Sequence, residues 1–245
     1  MADLVFVGTG EAFDPTLPTT SLLYRGGRTI LFDCGYATPH ALWKISRDPD
    51  LLDAIYITHT HADHSFGLPP LLTWMWLSGR QRPLAVVGGP GIESWLQQLF
   101  ETGYPGIFSR LTIVPTEISP DRSVQLGPVE LRSAYSIHGV DNLAVRCSEG
   151  SGAFCYSGDG APSEATRQLY RQASVVVHEC FALDGDQDGH AGLSALVDMA
   201  QDGQIGTLCL VHLAAQYRSA IIRAVTELSA PPRVLVPRPG DCLSL

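Results

Sequence analysis

The chain has 245 residues, 45% of them hydrophobic and 17% charged, the balance of a compact folded protein rather than a disordered or fibrous one. Acidic residues outnumber basic ones by 25 to 16, for a formal net charge of −9, and Lys44 is the only lysine among dispersed arginines. That distribution argues against a clustered basic face of the kind nucleic acid requires.

The start of the chain has Asp3 and only a short apolar run, Leu4-Val5-Phe6-Val7, which is no secretory signal. The most apolar later stretch, residues 68–77, is broken by Pro69 and Pro70 and is too short to cross a bilayer. Six scattered cysteines without a Cys-x-x-Cys pair fit reduced, buried thiols. These features predict a cytoplasmic protein with no membrane partner.

In chain order, residues 4–7 read as a first strand, followed by a loop over 11–20. Strands over 21–25 and 29–33 flank Gly26-Gly27, a dipeptide suited to a tight hairpin turn. A helix is predicted over 38–47, opening on Thr38-Pro39, then a strand over 52–57 and a helix beginning near Pro69-Pro70. Residues 84–87 form a strand, and 91–101 a helix with Ile92, Trp95, Leu96 and Leu99 on one face. Short strands and turns fill 111–146, and 154–156 is a further strand. A helix over 163–173 has Ser163 as its cap. Val175-Val176-Val177 suits a strand covered on both faces. A helix over 193–201 and a strand over 208–211 complete the series. Strands interleaved with helices predict an α/β fold, and with no linker or charge run to divide it the chain is read as a single domain over 1–245.

The most informative segment is Ile57-Thr58-His59-Thr60-His61-Ala62-Asp63-His64, with three of the eight histidines and a carboxylate in six residues. A strand ending in alternate histidines sends both imidazoles to one side, and Ala62-Asp63-His64 then turns a carboxylate and a third imidazole toward them. Imidazole nitrogen and carboxylate oxygen are ligands of zinc, and manganese and iron accept them too. A metal site is predicted here.

The pattern His-x-His-x-Asp-His resembles the signature of the metallo-β-lactamase superfamily, and further residues extend the resemblance over nearly the whole chain. His138, Asp159 in Ser157-Gly158-Asp159, and His212 after Leu208-Cys209-Leu210-Val211 follow strand-like runs in the order the superfamily uses. The resemblance implies an αββα sandwich, two mixed sheets face to face with helices outside. It also implies two divalent metal ions, most simply zinc, sharing and activating a water. His59, His61 and His138 would hold one ion, Asp63, His64 and His212 the other, with Asp159 bridging both. Val177-His178-Glu179-Cys180 and Gly189-His190-Ala191-Gly192-Leu193-Ser194 resemble stretches of the branch containing ribonuclease Z and related phosphodiesterases. That likeness gives His190 the role of proton donor to the leaving group, charged and oriented by Glu179, and offers Asp63 as base. Asp33 is either a partner orienting a ligand imidazole or a turn residue before Gly35.

Other residues are read as structural. His178 should face away from Glu179 across its strand, and His40 lies on a helix surface. Trp74, Met75 and Trp76 suit core or subunit interface, and Gly88-Gly89-Pro90-Gly91 suits a turn.

The sequence also departs from ribonuclease Z. Only twenty residues, 139–158, separate His138 from Asp159, too few for the protruding arm that grips transfer RNA in that enzyme. Ala191-Gly192 and Leu213-Ala214-Ala215-Gln216-Tyr217 also lack side chains the branch shows there. The expected function is a di-metal hydrolase acting on a small-molecule phosphodiester rather than RNA. The alternatives are transfer-RNA 3′-processing endoribonuclease and thioester or lactone hydrolase. A scaffold that had lost its chemistry would be expected to lack a ligand. A homodimer is the resemblance's suggestion for assembly.

Overall fold

The computed structural model describes residues 2–184, 189–228 and 232–245. Alternation along buried strands decides its layers, because successive side chains leave a strand on opposite faces. In β1 (Asp3–Gly8), Leu4 and Phe6 point between the two sheets, and Val5 and Val7 point outward under helices. β2 (Ser21–Arg25) and β3 (Thr29–Phe32) repeat this, with Leu22, Tyr24, Ile30 and Phe32 inside and Leu23 and Leu31 outside.

With β4 (Ala54–Tyr56), β5 (Leu84–Gly88), β6 (Ile113–Glu117) and β14 (Cys242–Ser244) these strands make a seven-stranded sheet, ordered β14-β1-β2-β3-β4-β5-β6. It is antiparallel from β14 to β3 and parallel from β3 to β6. The second sheet is built alike from β7 (Val124–Leu126), β8 (Val129–Tyr135), β9 (Leu143–Glu149), β10 (Gly152–Tyr156), β11 (Val175–Glu179), β12 (Thr207–Val211) and β13 (Arg233–Leu235). It is antiparallel from β7 to β10 and parallel from β10 to β13.

Three apolar layers result. Phe32, Tyr56, Phe154 and Tyr156 centre the layer between the sheets. α1 (Thr38–Ile45), α3 (Leu68–Leu77) and α4 (Ile92–Gly103) cover the first sheet, with Leu42, Met75, Leu96 and Phe100 buried. α5 (Glu164–Tyr170), α6 (Leu193–Asp202) and α7 (Arg218–Glu227) cover the second, with Tyr170, Leu196 and Ile221 buried. A one-turn helix, α2 (Ala62–Ser65), lies at the edge between the sheets' ends. The fold is the expected αββα sandwich.

Several elements differ from expectation in their ends. α1 stops at Ile45, and Ala37 rather than Thr38 precedes its first turn. Ser163 does cap α5, its Oγ accepting the Thr166 N–H at 3.1 Å. α7, β13 and β14 were not among the expected elements: α7 fully buries only Ile221, and the two strands are three residues long with no fully buried residue. Cys34, Cys147, Cys155, Cys180 and Cys209 are buried free thiols and Cys242 is exposed. Among the described residues, no helix is long and apolar enough to cross a membrane.

Each sheet's parallel strands end toward the same edge, and in open α/β sheets that carboxyl edge is where ligands gather. Asp33 follows β3, His59 follows β4, Asp159 follows β10, Glu179 ends β11 and His212 follows β12.

Candidate metal centre

The histidine-rich segment is a loop, not a strand end. The Ile57 N–H still reaches the Val87 carbonyl at 2.8 Å, but the Thr58 N–H turns to Asp33 Oδ1 at 2.8 Å, and pairing with β5 stops there. His59 and His61 converge because the chain has left the pleat: His61 stands just before α2, in extended conformation, with its Nδ1 3.0 Å from His59 Nε2. α2 then buries Asp63 and His64. Gly35 makes this docking possible, since a Cβ there would lie 1.7 Å from the Asp63 carbonyl oxygen.

Asp33 organises the near side. It has left β3 with φ of 59°, a left-handed conformation that Asp tolerates better than most residues. Its buried carboxylate accepts the Thr58 N–H, the Thr58 hydroxyl (3.0 and 2.9 Å), the Tyr156 hydroxyl (2.8 Å) and His64 Nδ1 (2.7 Å). His64 therefore carries its proton on Nδ1 and aims Nε2 at Asp63 Oδ2 and Asp159 Oδ1, each 3.2 Å away.

The second sheet supplies single residues, each held by its own device. Gly158, at φ of 61°, lies where a Cβ would come within 2.3 Å of Asn142 Oδ1 and 2.7 Å of Thr58 Cβ. Asn142 Oδ1 accepts the Asp159 N–H at 3.2 Å, and the Ser136 hydroxyl donates to the Asp159 carbonyl at 2.7 Å. His212, at φ of 54°, is tied back by its N–H to the Thr9 carbonyl at 3.0 Å. Its Nε2 is 3.4 Å from Asp63 Oδ2 and 3.5 Å from Asp159 Oδ2. His138 Nε2 comes within 3.4 Å of His61 Nδ1.

Among the described residues three groups of donors converge, each with its ligand atoms within 4.8 Å of one another: Glu179-His190-His212, and the two sets His59-His61-His138-Asp159 and Asp63-His64-Asp159-His212 that hold the candidate ligands. The structure brings all seven candidate ligands together, with Asp159 common to both sets. Divalent ions fit this arrangement. His64 Nε2 and Asp159 Oδ1 are buried without a hydrogen-bond partner, and an imidazole nitrogen facing two carboxylates calls for a cation.

Protonation in the absence of an ion points the same way. Burial pulls His64 and His212 down, but Asp159 with Asp33 or Asp63 outweighs it, raising His64 well above the usual range and His212 to about 9. Burial pushes Asp63 and Asp159 up, yet imidazoles around each carboxylate hold both well below the ordinary value. His59 and His138 are lowered, chiefly by burial, and so present neutral nitrogens. Protons on His64 and His212 occupy the place of metal charge, so ion binding would release protons.

Beside these sets lies a buried carboxylate–imidazole pair. Glu179 Oε1 accepts the Gly160 N–H at 2.7 Å and His190 Nδ1 at 2.9 Å, and its Oε2 has no partner. The His190 ring stacks on Phe181 at 4.6 Å, runs nearly parallel to His212 at 6.0 Å and stands 5.2 Å from His138. Burial lowers His190, but the bond to Glu179 outweighs it and the imidazole is raised; burial also raises Glu179. Part of the neighbouring segment, 185–188, lies outside the described residues.

Several supports were not singled out from sequence: Thr58, Ser136, Asn142, Tyr156 and Phe181. Phe181 alone left a trace, standing two residues after Glu179. The residues read as structural lie elsewhere. His178 is buried on the opposite face of β11, its Nδ1–H donating to the Glu179 carbonyl at 2.8 Å and its ring 5.7 Å from Tyr170. His40 is exposed; Met75 is in the outer core, and Trp74 packs on Trp43 at 5.4 Å. Of the run Gly88-Gly89-Pro90-Gly91, Gly88 ends β5 and the other three turn the chain into α4, with the Gly91 N–H satisfied by Glu117 Oε1 at 2.7 Å.

Fold and centre define a member of the metallo-β-lactamase superfamily in its ribonuclease Z-like branch. A family model described as "Anti-Pycsar protein Apyc1" matches residues 2–224, and the chain belongs to that family. Ribonuclease Z of Bacillus licheniformis is 25% identical over 289 residues, spanning 93% of this chain and 94% of that protein. The metallo-β-lactamase fold protein YhfI from Bacillus subtilis superposes with a TM-score of 0.83 at 23% identity, over 99% of this chain and 98% of the other. A diphosphatase from the PhnP family superposes with a TM-score of 0.78 at 17% identity, over 100% and 98%.

Proposed function

We propose that this protein is a metal-dependent hydrolase that cleaves a small phosphodiester. The observation that carries the reading is the standing of the Glu179–His190 pair against His138 and His212, next to two donor sets that share Asp159. His59, His61, His138 and Asp159 would hold one divalent ion, and Asp63, His64, His212 and Asp159 the other. Such ions, zinc first among them, supply Lewis acidity to phosphoryl oxygens and lower the pKa of water.

The chain's own groups complete the chemistry. Asp63, kept ionised by His212 and His64, offers an oxygen to the attacking water's proton. His190, held protonated by Glu179 and kept in plane by Phe181, gives its Nε2 proton to the departing ester oxygen. An alkoxide leaves poorly without such a donor, whereas a thiolate needs it little, so the pair favours a phosphodiester over a thioester.

Size and charge support a small substrate rather than transfer RNA. β9 and β10 are joined through Gly150-Ser151, with no arm between His138 and Asp159. The net charge of −9 is unfavourable for a polyanion. The relatives named above bracket the choice, one a ribonuclease and one a diphosphatase.

The test is hydrolysis of bis(4-nitrophenyl) phosphate by metal-reconstituted protein, run beside a precursor transfer RNA and a thioester. Turnover of the diester alone, abolished by Asp159→Ala, is expected. Efficient, correctly placed RNA cleavage would overturn the small-substrate reading, and thioester turnover alone would remove the phosphodiesterase.

A further inference from the structure

A cleft of about 280 Å³ opens beside the metal centre, sharing His59 with it and lined next to it by Thr60. Trp95 and Ile92 of α4, Pro90 of the preceding turn, Tyr135 at the end of β8 and Val140 before β9 form its apolar walls. Tyr135 and Val140 are 37% and 39% exposed, and Trp95 is half-buried, so these surfaces are open to a ligand. None of Glu179, Phe181, His190 and His212 lines it. The cleft thus lies off the group assigned to protonate the leaving oxygen.

The charge around the cleft is one-sided. Asp141 is its only carboxylate and no lysine or arginine lines it. The start of α4, a place where backbone N–H groups attract anions, is already served by Glu117. A second phosphate placed here would meet Asp141 with no cation to pair it. An uncharged planar group would instead find an indole, a phenol ring and aliphatic carbons. An apolar cavity of roughly 150 Å³ already holds benzene, so this one has room for a group of one or two rings.

We propose that this cleft receives the ester group that the substrate keeps after hydrolysis, and selects a flat, uncharged, aromatic one. The inference builds on the phosphodiesterase reading. The leaving ester oxygen goes toward His190, so the retained group is turned toward His59, Thr60 and the cleft beyond them. Trp95 is its specificity-determining residue, with Val140 and Tyr135 closing the sides.

The test compares bis(4-nitrophenyl) phosphate with methyl 4-nitrophenyl phosphate on the metal-loaded protein. Both release 4-nitrophenolate and differ only in what is kept. Trp95→Ala is expected to lower the ratio of their kcat/KM values about tenfold, through KM of the diaryl ester, and Trp95→Phe to restore most of it. Val140→Trp fills the cleft from an exposed loop position and should lower the same ratio even if Trp95→Ala folds poorly. A ratio unmoved in folded variants would overturn the assignment and leave the phosphodiesterase reading standing.

Calorimetry separates the two claims. The protein should bind 4-nitrophenyl phosphate, the product that keeps a ring, more tightly than methyl phosphate, and Trp95→Ala should erase the difference. If neither diester turns over, the phosphodiesterase reading fails, and equal binding of the two products would remove the cleft assignment as well.

Discussion

Two buried carboxylates each hold an imidazole by its Nδ1, and they differ in how completely they are satisfied. Asp33 receives Thr58 twice, Tyr156 and His64, so both oxygens are engaged. Glu179 receives the Gly160 N–H and His190 on one oxygen and leaves the other bare. The full set of donors fixes the geometry around Asp33, whereas burial raises the pKa of Glu179 and the hydrogen bond to Glu179 raises that of His190. On the proposed reading, the same carboxylate–imidazole pairing would serve alignment in one place and proton delivery in the other.

The sharpest way to break that contrast is to neutralise the unsaturated member. Glu179→Gln and His190→Ala should each lower kcat for a phosphodiester by roughly 10²–10⁴-fold, the usual worth of a proton donor, while metal content by elemental analysis stays at the wild-type value. Loss of metal in step with activity would show that Glu179 aligns ligands, as Asp33 does.

A smaller effect is expected on the opposite face of β11. Burial lowers His178 to about 4 from an unperturbed value of 6.5. The unfolded chain therefore takes up a proton near pH 6.5 that the folded chain refuses until about pH 4. Stability present above pH 6.5 should be lost as pH falls across that window, by about 3 kcal/mol at most. His178→Gln should flatten the pH dependence of the denaturation midpoint there, and an unchanged slope would show that His178 is not the titrating group.

Smaller still is the expected cost of trimming the saturated member. Asp33→Asn should weaken metal affinity about 10–100-fold in a chelator competition. Tyr156→Phe, which removes one of its donors, should cost about 1 kcal/mol in urea denaturation with little change in metal affinity. Equal effects of both changes on the metal would mean that Asp33 works as part of the core, not through His64.

How far this was readable from the residues follows from where the partners sit. Four candidate ligands fall between positions 59 and 64, where residue chemistry and spacing announce them. His138, Asp159 and His212 are isolated in sequence, and only the family likeness drew them in. The pleat predicted for His59 and His61 did not form, because Thr58 bonds Asp33, a partner that strand alternation cannot reveal. The left-handed backbone at Asp33 and His212, and the approach of Asn142 and Thr58 to Gly158, are imposed by tertiary contacts rather than local preference. Strands interleaved with helices were open to inspection as an α/β pattern, but the layering came from the family likeness, because a run such as Leu4-Val5-Phe6-Val7 is apolar on both faces.

Asp33 also joins the molecule's halves, because Tyr156 belongs to one sheet and Asp33 follows a strand of the other. His64 hangs from the same carboxylate. A charge captured at His64 is therefore felt at the seam of the sandwich, and a gap opening at the seam would loosen the grip on the charge. Amide exchange near the ends of β3 and β10 should slow together when the centre is filled, recording in the backbone how tightly the two sheets are clasped.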